Sequence, residues 1–338
     1  VATVLAALVA GVVVAARKGV LKPLGVVAVL GILVFLDGFR VSAPFVQTMD
    51  ETLHMDFYEW SRPDPLVREL LDRQAAEPPF RVASLARDGQ DVTPAMHGLE
   101  MATGHHPNDL ARYRELIGMV GSSMPRNILD PNVLAILNVR YLIWPEQAGR
   151  PSLPEGYGGS TLIARTRRGQ QPYQSLYEFP TLPRARLVAS ARIVSDAEAV
   201  EVIRSPDFDP AAEAVLPEEP PLELEGGPVE GRVTWEERGV NRMRLSVTSD
   251  RNALLVLADN WYPAWHATVD GREVPVLRAY HTLRAVPVGP GEHTVALFYE
   301  SSVLKGSLML SLVTILLLAG VATASTLRRR RGRTTEGG

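Results

Sequence analysis

Three stretches of the chain are unbroken apolar runs, and the long middle alternates between strand-like and helix-like patterns. Residues 306–327 carry no charge, and about 20 apolar residues suffice for a helix to cross the hydrocarbon of a bilayer. Arg328 to Arg331 and Arg333 follow at once, the basic flank that marks a cytoplasmic side. A buried core helix is the competing reading, but such a helix keeps a polar face over several turns. At the other end, residues 1–16 and 23–36 are uncharged and are separated by Arg17, Lys18 and Lys22. The second run reaches spanning length if residues 19–22 join it and Lys22 snorkels to the headgroups. A secretory signal fits poorly, because the basic residues follow the first apolar run and a second run comes next.

The pattern predicts a membrane protein of α+β type in five segments. Residues 1–37 form two transmembrane helices with a short basic cytoplasmic loop. Residues 38–220 form a mixed α/β unit and 221–302 a small all-β sandwich. Residues 303–327 form a third transmembrane helix and 328–338 a basic cytoplasmic tail. Both basic clusters demand the same orientation, with the second helix leaving the membrane near Asp37, the ectodomain outside the bacterial cytoplasmic membrane and the C-terminus within. The chain opens on Val1 inside an apolar run, so it is expected to be the C-terminal part of a larger polytopic protein.

Within the mixed unit, Asp64-Pro65 places an N-cap before a proline at the first helical position, with Leu66, Val67, Leu70 and Leu71 on one face. Residues 80–85 read as a strand. Asn108 is placed to cap a helix carrying Leu110, Tyr113 and Ile117. Residues 134–144 pass from a helical turn into a strand, and Ser195 with Glu198 forms a capping box. Residues 147–171, rich in Gly, Pro, Arg and Ser, read as an exposed loop. In the second unit Met243, Leu245 and Val247 alternate with Arg242, Arg244 and Ser246. Residues 254–257 are continuously apolar, as a central strand would be. Asp270-Gly271 marks a hairpin, and Gly289-Pro290-Gly291 turns into alternating Val295, Leu297 and Tyr299. Six or seven short strands make a sandwich, whose last strand runs almost straight into the third membrane helix.

Composition narrows the chemistry. The chain has no cysteine and a formal net charge of −3. That excludes disulfides, thiolate metal sites and thiol nucleophiles, and gives no reason to expect nucleic acid as a partner. The region 38–304 is acidic, at −10, so the net positive charge lies with the residues around the apolar runs. No GxSxG, HExxH or GxxxxGK[ST] motif occurs. Gly156-Tyr157-Gly158-Gly159 lacks the preceding strand and following helix of a dinucleotide loop. His105-His106 has no third ligand at useful spacing, so no metal site is assigned. The most unusual segment is Trp261-Tyr262-Pro263-Ala264-Trp265-His266. Its rings suit a sugar-stacking platform. They suit still better the closing of the sandwich core or a place at the membrane interface, where Trp and Tyr concentrate. Tyr280-His281 is expected nearby across the hairpin. The candidate glycan-contacting set is therefore Trp261, Tyr262, Trp265, His105, His106, Tyr280 and His281.

Four segments, in order, resemble the YfhO family of bacterial membrane proteins. These are Gly104-His105-His106-Pro107 with Arg112-Tyr113; Leu137-Asn138-Val139-Arg140-Tyr141-Leu142; Tyr177-Glu178 with Leu182-Pro183-Arg184-Ala185; and Trp261 through Gly271, matching "YYPGWxAxVDG". The chain departs from the family at Trp261, Ala264, His105 and Phe179. The resemblance implies a glycosyltransferase of the GT-C type, which takes sugar from a polyprenyl-phosphate-linked donor outside the membrane. Its partners would be the lipid bilayer, the lipid-linked sugar and a cell-envelope glycopolymer. In that class the catalytic acid lies in the first outward loop of the full protein, so no catalytic residue of this chain is assigned, and no cofactor is expected within it. The alternative is a non-catalytic, membrane-anchored envelope protein whose ectodomain binds a glycan or a protein partner.

Overall fold

A computed structural model of the chain describes residues 2–53, 62–86, 91–104, 109–121, 124–146, 152–167 and 173–334. Two compact units emerge, Val1–Pro63 and Asp64–Gly338. The first holds helix α1 (Ala2–Arg17) and helix α2 (Pro23–Leu53), joined by a turn at Gly19, whose φ of 73° needs no Cβ to be accommodated. Helix α2 starts with Pro at the position where a missing N–H costs nothing. It does not end near Asp37: Asp37 is paired with Arg40 one turn on, at 3.1 Å, and the helix continues to Leu53. Its window Pro23–Arg40 is long and apolar enough to cross a membrane, whereas α1, uncharged from Ala2 to Ala16, has 16 residues.

The second unit begins with helix α3 (Pro65–Ala76), capped by Asp64, which accepts the Val67 N–H at 2.8 Å. Strand β1 (Arg81–Ser84) follows, then helix α4 (Ala111–Ile117) and helix α5 (Pro131–Ile136). Asn138, at a left-handed φ of 59°, turns the chain from α5 into strand β2 (Val139–Pro145), a conformation Asn tolerates better than most residues. Strands β3 (Thr161–Thr166) and β4 (Gln174–Glu178) complete a sheet of order β1-β2-β4-β3, parallel only between β1 and β2. Leu66, Val67 and Leu70 of α3 pack on Val82, Tyr141, Ile143 and Leu176 of this sheet. The expected loop 147–171 thus contains a strand. Strand β3 lies at the sheet edge and is largely exposed, so it needs no buried alternation and left no apolar period to read.

Strand β5 (Ala185–Val188), strand β6 (Ala191–Ile193), helix α6 (Asp196–Ile203) and strand β7 (Ala214–Leu216) lead into the sandwich. The Ser195–Glu198 capping box opens α6. Eight strands follow: β8 (Gly231–Arg238), β9 (Arg242–Ser249), β10 (Ala253–Asn260), β11 (Trp265–Val269), β12 (Arg272–Val274), β13 (Leu277–Ala279), β14 (Leu283–Val288) and β15 (Gly291–Tyr299). An inner sheet runs β13-β14-β10-β5 and an outer sheet β12-β11-β15-β9-β8. Leu255, Leu257 and Val286 meet Leu245, Val247, Val295 and Leu297 between them.

The boundary expected at residue 220 is crossed in two ways. Strand β5, from before it, pairs antiparallel with β10. The opposite face of the inner sheet, with Leu254, Val256, Leu283 and Ala285, shares one core with Leu116, Leu134, Leu137 and Leu142 of the mixed part. The mixed part from Asp64 onward and the sandwich are therefore one compact unit, because an inner sheet apolar on both faces needs a cover on each. Strand β15 passes through Glu300 and Ser301 into helix α7 (Ser302–Thr334). Its window Ser302–Gly320 is the second segment long and apolar enough to cross a membrane. None of that window is buried against the rest of the chain.

Candidate functional site

The aromatic segment leaves the end of β10 and is held rigidly. The Trp261 N–H donates to Thr282 O at 2.6 Å, its indole Nε1 donates to Val276 O at 2.9 Å, and Thr282 Oγ1 donates to Asn260 Oδ1 at 3.0 Å. Trp261, Tyr262 and Pro263 form one side of a groove of about 250 Å³; Leu110, Ala111 and Arg112 at the start of α4, with Arg278 and Thr282, form the rest. Two guanidinium groups are fixed here by one carboxylate. Arg278 Nη1 donates to Asp196 Oδ1 at 2.7 Å, and Arg112 Nη2 donates to Asp196 Oδ2 at 3.0 Å. The Arg278 hydrogen bond, then that of Arg112, outweighs partial burial and holds the Asp196 carboxyl below its ordinary value. A second concavity of about 380 Å³ shares Leu110 and is lined on its polar side by Arg81, Asp109, Tyr113, Arg114 and Asn260.

Behind the groove, at the last residues of β10, lies a buried charge cluster. Arg81 Nη2 donates to Asp259 Oδ1 at 3.1 Å and Arg184 Nε to Asp259 Oδ2 at 3.3 Å, with Arg284 3.9 Å away. Arg184 also reaches Glu100 at 2.9 Å, which is paired in turn with Arg238. Burial opposes the charge on Asp259, but Arg184, Arg81 and Arg284 together overcome it and keep the carboxyl below its usual range. Burial pushes Arg81 and Arg284 each down to about 10, with Asp259 opposing. Nε and Nη1 of Arg284 find no acceptor among the described residues. Its guanidinium instead lies 3.8 Å from the centroid of Trp265, a cation–π contact in a desolvated setting.

That contact separates the sequence candidates. Trp265 has one face taken by Arg284 and its edge against Tyr299, ring centroids 5.7 Å apart, so it closes the end of the sandwich core. Trp261 and Tyr262 belong to the groove, and Tyr262 is 46 % exposed. Tyr280 and His281 are buried and face away from it. Tyr280 OH lies 2.9 Å from Pro210 O and 2.8 Å from Glu213 O, and His281 Nε2 lies 2.6 Å from Glu115 Oε2. Both occupy the left-handed region, at φ 44° and 68°. They form the tight β13–β14 turn, whose next residue, Thr282, is the one that reaches the groove. Buried there, Tyr280 and His281 cannot stack on or bind a glycan. His105, His106 and Asn108 lie outside the described residues. Among the described residues no three His, Asp or Glu side chains gather as a metal site would require.

Arg112, Arg278 and Asp196 went unselected in the sequence. They come from α4, β13 and α6, and the ion pairs span 84 and 82 residues, beyond the reach of any local motif. No protein-family model matches the chain, and no curated protein and no solved structure matches it either.

Proposed function

We propose that this chain is a membrane-anchored, extracytoplasmic module that presents the Trp261–Tyr262 groove to a cell-envelope glycan. Its role is that of the acceptor-side part of a YfhO-like, polyprenyl-phosphate-sugar-dependent glycosyltransferase. The observation that carries this reading is the pairing across one groove of partly exposed aromatic rings with two preorganised guanidinium groups. Carbohydrate offers both an apolar C–H face and a ring of hydroxyls. An aromatic wall with a few fixed donors opposite suits both at once. At about 250 Å³ the groove lies just below the roughly 300–1,000 Å³ of drug-sized sites, the scale of a sugar unit rather than a folded partner. The four ordered motif resemblances and the two apolar helices support the assignment to a multi-pass protein of the bacterial cytoplasmic membrane. The basic residues at 17, 18, 22 and 328–331 favour the ectodomain outside and the C-terminus in the cytoplasm.

A second reading is a non-catalytic envelope protein that binds a glycan without transferring sugar. It is favoured by the groove's lining, where the described residues include no acid to serve as a general base. Both readings require glycan in the groove. The test is binding of the full chain, in nanodiscs, to an array of bacterial envelope glycans, with Trp261→Ala and Arg278→Ala beside the parent. Binding lost in both variants supports the groove; binding retained in both, or absent from the parent, overturns it. Sugar transfer from a polyprenyl-phosphate donor by the full polytopic protein then separates enzyme from binder.

A further inference from the structure

The sheet and the apolar helix are joined without slack. Tyr299 N donates to Asn241 O at 3.0 Å, Glu300 N to Ala264 O at 2.8 Å, and Leu304 N to Ser301 Oγ at 3.2 Å. The first of these ties β15 to the β8–β9 turn, the second ties the residue before the helix to the aromatic segment, and the third caps the helix. Only Glu300 and Ser301 separate β15 from α7. Two residues extend at most about 7 Å, so this end of the sandwich stands at the level where the apolar window begins, Ser302.

The loops gathered at that level carry apolar residues that the fold does not use. Strand registers place the β8–β9 turn, the β10–β11 segment and the β15–α7 junction at one end: Arg238 faces Met243, Arg242 faces Phe298, and Trp265 faces Tyr299. Val240, at the tip of the β8–β9 turn, is 88 % exposed. Tyr262 and Pro263 are exposed, and the Tyr262 ring lies 6.4 Å from that of Tyr299. Val303 and Leu304 continue the exposed apolar surface onto the helix, with Arg242 exposed beside it and Lys305 paired with Glu300. Apolar tips and tyrosines flanked by cations, level with the start of an apolar helix, match the chemistry of the headgroup zone.

We propose that this end of the sandwich rests in the bilayer interface, with Val240, Tyr262, Pro263 and Tyr299 among the headgroups. The ectodomain then stands directly on the membrane, and the groove lined by Trp261 opens at headgroup height. The proposal rests on the membrane-anchored reading above. The absence of cysteine allows single labels. Val240→Cys, Arg272→Cys and Leu310→Cys variants of the full chain are labelled with an environment-sensitive fluorophore. Each is reconstituted in nanodiscs of phosphatidylcholine and phosphatidylglycerol, with and without doxyl-labelled lipid. Leu310 lies within the apolar window of α7, and Arg272 lies beyond the β11–β12 turn at the opposite end of the sandwich. The label at 240 is expected to shift blue and lose roughly half its emission to doxyl lipid, as befits a site about 5–10 Å into the headgroup boundary; that at 272 should stay unquenched. Quenching at 310 without quenching at 240 overturns the proposal alone. No quenching at 310 overturns the membrane-anchored reading itself. Equal quenching at 240 and 272 also sinks the proposal, because the sandwich would then have no preferred end.

Discussion

The two sheets of the sandwich solve opposite problems. Strand β9 of the outer sheet alternates strictly, one side chain buried and the next exposed. The inner strands β10 and β14 are buried along nearly their whole length, because one face meets the outer sheet and the other meets the mixed part. On the outer sheet Arg242 and Arg244 project freely. On the inner sheet Asp259 has no water to turn to and is neutralised by Arg81 and Arg184, with Arg284 farther off, while the Arg284 guanidinium also lies over the Trp265 ring. A charge on a singly covered sheet is a surface detail, whereas on a doubly covered sheet it becomes part of the fold.

The sharpest way to break this contrast is to remove Asp259. Asp259→Ala leaves three guanidinium groups without their shared carboxylate, and breaking a buried ion pair costs about 3–5 kcal/mol. Arg244→Ala on the outer sheet should stay within about 0.5 kcal/mol. Thermal unfolding of the full chain in detergent checks both, and near-equal losses would erase the distinction. Next, Leu255→Ala, fully buried in β10, should cost about 2–5 kcal/mol by the same measurement. Acid should act through this cluster and through Asp196 of the groove. The carboxyls of Asp259 and Asp196 are held below their ordinary value, so their stabilisation is complete above the unfolded aspartate pKa of about 3.9. It is lost as pH falls through the depressed folded values. The melting temperature should therefore hold from neutral pH down to about 5 and drop below about 4, with a shallower drop in Asp259→Asn. Trp261→Ala should weaken glycan binding about tenfold, the equivalent of about 1.4 kcal/mol. A small effect on stability is expected from Asp196→Ala, whose carboxylate is itself nearly half exposed, as ion pairs of that exposure are worth about 0–1 kcal/mol. That variant should still weaken glycan binding, because Arg112 and Arg278 lose their anchor.

The same contrast explains what the sequence disclosed. A singly covered strand writes its burial into a period of two, and Met243, Leu245 and Val247 were legible for that reason. A doubly covered strand writes a continuous run, and residues 254–257 identified β10 as central. The Asp270-Gly271 hairpin, the Asp64 cap and the Ser195 capping box were equally legible, since each is a contact within a few residues. Strand β5 was not, because Arg184 and Arg186 look exposed on paper. They are buried only because Asp259, 75 residues away, neutralises Arg184, and because Arg186 lies over the Tyr280 ring. The groove was half legible. Trp261 and Tyr262 stood out by composition, but the Arg112–Asp196–Arg278 arrangement exists only once α4, α6 and β13 have converged. Trp265 was drawn in by its place in the aromatic segment and Tyr280 and His281 by their expected place across the hairpin, and neither says in which direction a turn points each side chain.

Strand β15 is the middle member of its five-stranded sheet, paired with β9 along eight residues and with β11 along five. A pull along α7 would therefore load two ladders of hydrogen bonds in shear at the same moment, instead of unzipping them one by one from a border. Because β15 sits in the middle of the sheet, a force on α7 would be met by the outer layer acting as a clamp.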